Sequence, residues 1–179
     1  MALKNKIKRL RRYRKYHRWF GLSLALFLLI SATTGILLAL KKEFDILQPP
    51  TAKGVSKDLS TWKSLPELAQ IAEDAFIEAH PSQKGNEIDR MDIRPQKGVV
   101  KVLFKEGWWE VQVDGTSGEV KSIERRNSDW IEALHDGSII SDWFKLISMN
   151  YIGWGLLLMI ITGLWLWYGP KEIRQLKKR

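Results

Sequence analysis

The chain has 179 residues, 45% of them apolar, with no cysteine and a formal net charge of +9. That length holds two membrane-crossing helices and one small domain of roughly 65–75 residues. The missing cysteine excludes disulfides, thiolate-ligated or covalently attached haem, cysteine-held iron–sulfur clusters and thiol catalysis.

Charge is unevenly placed. Residues 1–18 carry nine Lys/Arg and no acid, and residues 171–179 carry five Lys/Arg and one acid; residues 40–170 hold fifteen Lys/Arg against nineteen Asp/Glu. Short basic segments beside apolar spans stay in the cytoplasm, so both termini are expected inside and the middle outside. A nucleic-acid-binding arm is the other use of such a basic start. Its place against an apolar run is explained by topology control and attraction to anionic lipid, so no nucleic acid is expected as a partner.

Residues 1–18 form the basic cytoplasmic segment, and nothing breaks helical character before Gly21. The first transmembrane helix follows at residues 19–40, Trp19–Leu40, long enough to cross a lipid bilayer. It exceeds a signal-peptide core and no clear A-x-A site follows, so it is expected to be kept as a span. Tyr13, Tyr16, Trp19 and Phe20 mark its inner edge. Residues 41–60, with Pro49-Pro50, read as a polar linker.

Residues 61–126 read as a small α+β domain. Leu65, Leu68, Ile71, Ala72, Ala75, Phe76 and Ala79 recur at helical spacing, which predicts a helix over Thr61–Ala79, ended by His80-Pro81. Strands are predicted at Ile88–Arg94, Val99–Lys105, Trp108–Val113 and Val120–Glu124, an antiparallel sheet with the helix on one face. Adjacent strand residues point opposite ways, so one ring of Trp108-Trp109 should meet the helix and the other cover the sheet. Glu73-Asp74 and Asp89/Asp92 lack catalytic partners and read as solvated surface.

Residues 127–142 hold a juxtamembrane helix capped at Asn127-Ser128-Asp129 and ending at His135. Two paths remain open there: a bend at Gly137, or one helix running on. The second transmembrane helix spans residues 143–168, with Trp143, Phe144 and Tyr151 toward its outer side and Trp165, Trp167 and Tyr168 at its inner end. Gly169-Pro170 is expected to stop it before the basic tail, residues 169–179. The fold class is a membrane protein, two transmembrane α-helices flanking an extracytoplasmic helix-plus-sheet domain.

One histidine stands just before each span, His17 and His135, and each span holds a Thr-Gly pair, Thr34-Gly35 and Thr162-Gly163. Neutral imidazole is the common axial ligand of haem iron. The plain readings are an interfacial residue for His17 and a helix C-terminal residue for His135. The Thr-Gly pairs read first as close-packing positions between helices.

His17-Arg18-Trp19-Phe20-Gly21, Thr34-Gly35-Ile36-Leu37-Leu38, Leu134-His135-Asp136-Gly137 and Ile161-Thr162-Gly163-Leu164-Trp165-Leu166-Trp167 resemble the PepSY-associated transmembrane family. Thr61–Arg126, with Asp114-Gly115-Thr116-Ser117-Gly118, is similar to the PepSY domain itself. The resemblance implies a bacterial inner-membrane protein with a periplasmic domain. It implies haem b held by His17 and His135, and for some members the reduction of ferric siderophores. Larger members carry about four spans and two PepSY units, so this chain looks like half of one.

Between His17 and the outer end of the first span lie about 23 residues, ~35 Å of helix. One haem iron cannot reach both histidines, so a bis-histidine site needs a second copy. A two-fold homodimer would make a four-helix bundle with two haems. Gly21, one turn after His17, leaves space for a macrocycle, and Arg18 can pair with a propionate. With no nucleotide, flavin or nucleophile motif and no catalytic residue, electrons would come from a quinol or a protein donor and pass to a ferric chelate. The opposing expectation is a non-enzymatic accessory subunit whose domain binds a transport or envelope partner; a third is a fixed subunit beside partner membrane chains.

Overall fold

The computed structural model describes residues 2–178. Met1 of the basic segment and Arg179 of the basic tail lie outside the described residues, as do the side chains at 2–4, 6, 172 and 176–178. The chain divides into two compact units, one made of residues up to Ile36 with Glu132 onward, the other of Leu37–Ile131.

The first unit is an antiparallel pair of long helices, α1 (Ala2–Ala39) and α4 (Asp142–Lys178), with the end of α3 (Asn127–Asp136). Both long helices have the length and hydropathy to cross a membrane. Leu22, Leu26, Leu29, Trp154, Ile160 and Leu164 stand exposed along them, as lipid-facing side chains must. Hydroxyls inside such helices need partners, and Thr33 and Thr34 donate to the carbonyls of Leu29 and Ile30 one turn back.

Glycines let the two helices approach. A Cβ at Gly155 would lie 2.9 Å from Cδ1 of Leu24, one at Gly21 2.7 Å from Cε of Met159, and one at Gly169 2.9 Å from Cδ1 of Leu10. That packing corrects one expectation: Gly169-Pro170 does not stop the second helix, which runs on to Lys178 with Pro170 inside it. Proline removes one helical hydrogen bond and crowds the carbonyl four residues back, but Gly169, buried against Leu10, keeps the two helices packed there.

Tyr151, expected toward the outer side of the second span, packs against the first helix. Its hydroxyl lies 2.7 Å from Oγ of Ser23, and its ring packs on Phe27 and Phe20 at 5.1 and 5.9 Å. A phenol packed against another apolar helix needs a hydrogen-bond partner, and Ser23 supplies it.

At Gly137 the chain bends, with φ +86°, so α3 and α4 are separate helices. Ser148 Oγ donates to the carbonyl of Asp136 at 3.1 Å and closes the corner.

The second unit carries α2 (Leu65–Ala79) on a four-stranded antiparallel sheet, β1 (Ile88–Arg94), β2 (Val99–Phe104), β3 (Trp109–Asp114) and β4 (Val120–Arg125), in sequential order. The helix starts later than its periodicity suggests. Asp58 caps a separate turn at Leu59–Thr61, and Ser64 with Pro66 opens α2. Leu68, Ala72 and Phe76 meet Val100, Val102, Phe104, Val111 and Val113, with Phe76 stacked on Phe104 at 4.2 Å. Trp109 joins this face against Phe76 and His80, while Trp108 lines a shallow cleft with Asp89 and Arg90.

The other sheet face is polar and buried. Lys101 Nζ donates to Glu110 at 2.8 Å, and Arg126 and Gln112 reach the same carboxylate at 3.2 and 2.9 Å. Asp92, expected in solvent, pairs with Arg126 at 3.5 Å. Residues 50–55 strap this face: Ala52 N–H donates to Gln112, Gln112 donates to the Pro50 carbonyl, and Val55 N–H donates to Asp114. Part of the expected linker is therefore a packed strap.

Candidate functional site

Both histidines lie in the first unit, and each is held by the far helix. Nδ1 of His17 in α1 lies 2.7 Å from Oγ1 of Thr162 in α4. Nδ1 of His135 in α3 lies 2.9 Å from Oγ1 of Thr34 in α1. The antiparallel helices put the start of one arm beside the end of the other, so the pairing is reciprocal.

Each threonine hydroxyl also reaches a carbonyl one turn back, Thr162 that of Leu158 at 2.6 Å and Thr34 that of Ile30 at 2.7 Å. A hydroxyl has one hydrogen. With that hydrogen on the carbonyl, the oxygen accepts from Nδ1–H, and Nε2 keeps its lone pair. Among the described residues, neither Nε2 makes a hydrogen bond.

The glycine of each pair flanks the ring. A Cβ at Gly35 would lie 3.4 Å from Cε1 of His135, and one at Gly163 3.6 Å from Cε1 of His17. These are ordinary contacts, so neither glycine is needed for its histidine's seat.

Around His135 lies a cavity of about 160 Å³, lined by Phe27, Ile30, Ile140, Phe144 and Ile152. Beside it, Asp136 accepts from Lys145 Nζ at 2.5 Å and from Ser138 N–H at 2.9 Å. Burial pushes the Asp136 carboxyl up, but these hydrogen bonds outweigh it and hold the group below the usual range. Thr162, the partner of His17, lines an open groove of about 750 Å³ together with Arg9, Tyr13, Trp165 and Tyr168; His17 itself is not part of that lining. Arg18 is exposed, and Gly21 faces Met159.

His17 and Thr34 stand seventeen residues apart on α1, ~25 Å along its axis. The separation is shorter than expected because His135 meets α1 at Thr34 and not at its end. The two rings still serve two places. Among the described residues there is no group of three or more His, Asp or Glu that could hold a metal ion by itself.

Residues 14–179 match a family described as PepSY-associated TM region. The chain belongs to the PepSY-associated transmembrane family. The match takes in both His–Thr pairs, the helix-and-sheet unit and both apolar helices, and with those helices it assigns this PepSY-associated chain to a membrane. No curated protein matches it.

The threonines are what sequence reasoning missed as partners of the histidines. The signal was present: a histidine early in each arm and a Thr-Gly late in the other are brought level once the arms pair antiparallel.

Proposed function

We propose that this protein is an inner-membrane haem b protein that relays electrons across the bilayer to an extracytoplasmic acceptor, a ferric chelate being the leading class. Both termini face the cytoplasm, by the basic bias of the two ends. His17 serves a haem near the cytoplasmic face and His135 one near the outer face. The observation that carries the reading is the pair of rings held through Nδ1 with neither Nε2 hydrogen-bonded among the described residues, the arrangement in which imidazole can bind iron.

The residues fit the group in kind. Each ring is anchored through its second nitrogen, and His135 borders an apolar cavity. Arg9 lies on the groove beside Thr162, where it would meet a propionate; Arg18 is the alternative. When bound, haem supplies a one-electron iron couple, which a chain without cysteine or a flavin motif otherwise lacks.

The cavity at His135, about 160 Å³, is below the roughly 300–1,000 Å³ of a drug-sized ligand site. The remaining walls and a second axial ligand would come from another chain. A second copy supplies both with the same residues, so a homodimer is the assembly we favour.

The test is the visible spectrum of protein purified in detergent from haem-replete cells. Reduced bands of low-spin bis-histidine haem, lost in stages with His17→Ala and His135→Ala, are expected. A colourless but folded preparation would overturn the reading in favour of an accessory membrane subunit.

A further inference from the structure

We infer that Thr162 and Thr34 are positioning residues that lock His17 and His135, each from the opposite helix, in the Nδ1–H tautomer, so that Nε2 is left as the free ligand atom. The consequence for haem rests on the proposed function; the tautomer itself does not.

The two tautomers differ in the hydrogen bonds they allow. With Nδ1 protonated, His17 donates to Thr162, and Thr162 donates to the Leu158 carbonyl: two bonds, with every polar hydrogen used. With Nε2 protonated, Thr162 must turn its hydrogen to Nδ1, giving one bond and an Nε2–H without a partner in this network. The Leu158 carbonyl does not decide between them, because the helix already supplies it with a backbone N–H. The second state therefore loses a bond, which favours the first; at His135, beside an apolar cavity, it also strands a donor. The same count holds for His135, Thr34 and Ile30. In water the imidazole has no such constraint.

The reciprocity matters as much as the count. Each histidine is anchored by the helix that does not carry it, so the ligand atom is aimed only when the two arms are paired. Folding of the hairpin and readiness to bind metal thereby become one event.

The chain contains three histidines, so ring-nitrogen NMR of the ¹⁵N-histidine-labelled full-length protein, haem-free in detergent at a pH where the rings are neutral, reads three pairs of signals, one Nδ1 and one Nε2 from each ring. His17 and His135 should show a protonated Nδ1 and a bare Nε2. Thr162→Val should release His17 alone to the Nε2–H majority form, and Thr34→Val should release His135 alone. Thr162→Ser and Thr34→Ser should restore the wild-type pattern. Helical circular dichroism identifies a Val variant that has simply unfolded, in which case the Ser variant and the wild-type tautomers still decide. Finding Nε2–H rings in the wild-type protein, or unchanged tautomers in folded Val variants, would overturn the inference. In haem-loaded protein the Val variants should hold haem about 10–100-fold more weakly. Wild-type tautomers as expected with no haem bound would sink the haem reading and leave this one standing.

Discussion

Oγ1 of Thr34 lies 2.9 Å from Nδ1 of His135, a residue 101 positions further along the chain. Its counterpart links His17 to Thr162 across 145 positions at 2.7 Å. Two contacts of such sequence separation depend on the register of the helix pair. Slipping α1 against α4 by one turn, about 5.4 Å, would break the His17–Thr162 bond. Whatever fixes the register therefore controls the ligand atoms.

Gly155 is the first such control. A methyl group there would stand 2.9 Å from Leu24, which is only 1% exposed and has nowhere to move. Gly155→Ala should cost about 1–3 kcal/mol through overpacking. Gly35→Ala, whose Cβ would make only a 3.4 Å contact, should be neutral or slightly stabilising, since alanine is the better helix former. Melting temperatures of the two variants in one detergent check this; equal losses would refute the packing argument.

Gly137 controls the corner that carries His135. Its φ of +86° disfavours any residue with a Cβ, and that Cβ would meet Ser148 Oγ at 2.8 Å and Phe144 at 2.9 Å. Gly137→Ala should cost more than Gly155→Ala and should disturb the His135 ring signals while leaving those of His17 unchanged. NMR of the labelled variant separates the two sites.

Strand periodicity made the sheet legible, because Val100, Val102 and Val111, Val113 alternate with polar neighbours. The buried side of those polar neighbours was not legible. Lys101, Glu110 and Gln112 look solvent-facing by pattern, yet all three are buried, with the strap at residues 50–55 bound to Gln112 and Arg126 to Glu110. The same limit applies in the first unit. Pro170 obeys the local rule for a stop, but packing against a partner helix alters that outcome. The histidines were visible as candidates from their position beside the spans. Their threonines were not, because the pairing needs a helix register that periodicity does not supply.

The buried network makes an unequal prediction. Glu110→Leu strands the Lys101 ammonium, 1% exposed, and removes a carboxylate from Arg126. A cost of about 3–5 kcal/mol is expected for such an uncompensated charge. Lys101→Met leaves Glu110 with Arg126 and Gln112, and should cost about 1–3 kcal/mol. Amide hydrogen exchange of β2 and β3 in the full-length protein measures both. The idea fails if Lys101→Met is the more damaging change.

Asp114 should make the strap of the second unit sensitive to acid. Burial pushes its carboxyl up, but N–H groups of Ser117, Thr116 and Val55, with Lys121 nearby, pull it below the ordinary value of 3.8. A carboxylate lowered by folding stabilises the fold fully above its unfolded value, and that contribution is lost as pH falls through the lowered folded value. The strap at Val55 should therefore loosen below pH 3.8. Asp114→Asn keeps an oxygen for Thr116 and Ser117 but sets an NH₂ against the Val55 N–H, or the reverse after a flip. The variant should exchange faster at Val55 at neutral pH and respond less to acid. Exchange rates measured at neutral pH and below pH 3.8 decide it, and an Asn variant as acid-sensitive as the parent would assign the effect to another carboxylate.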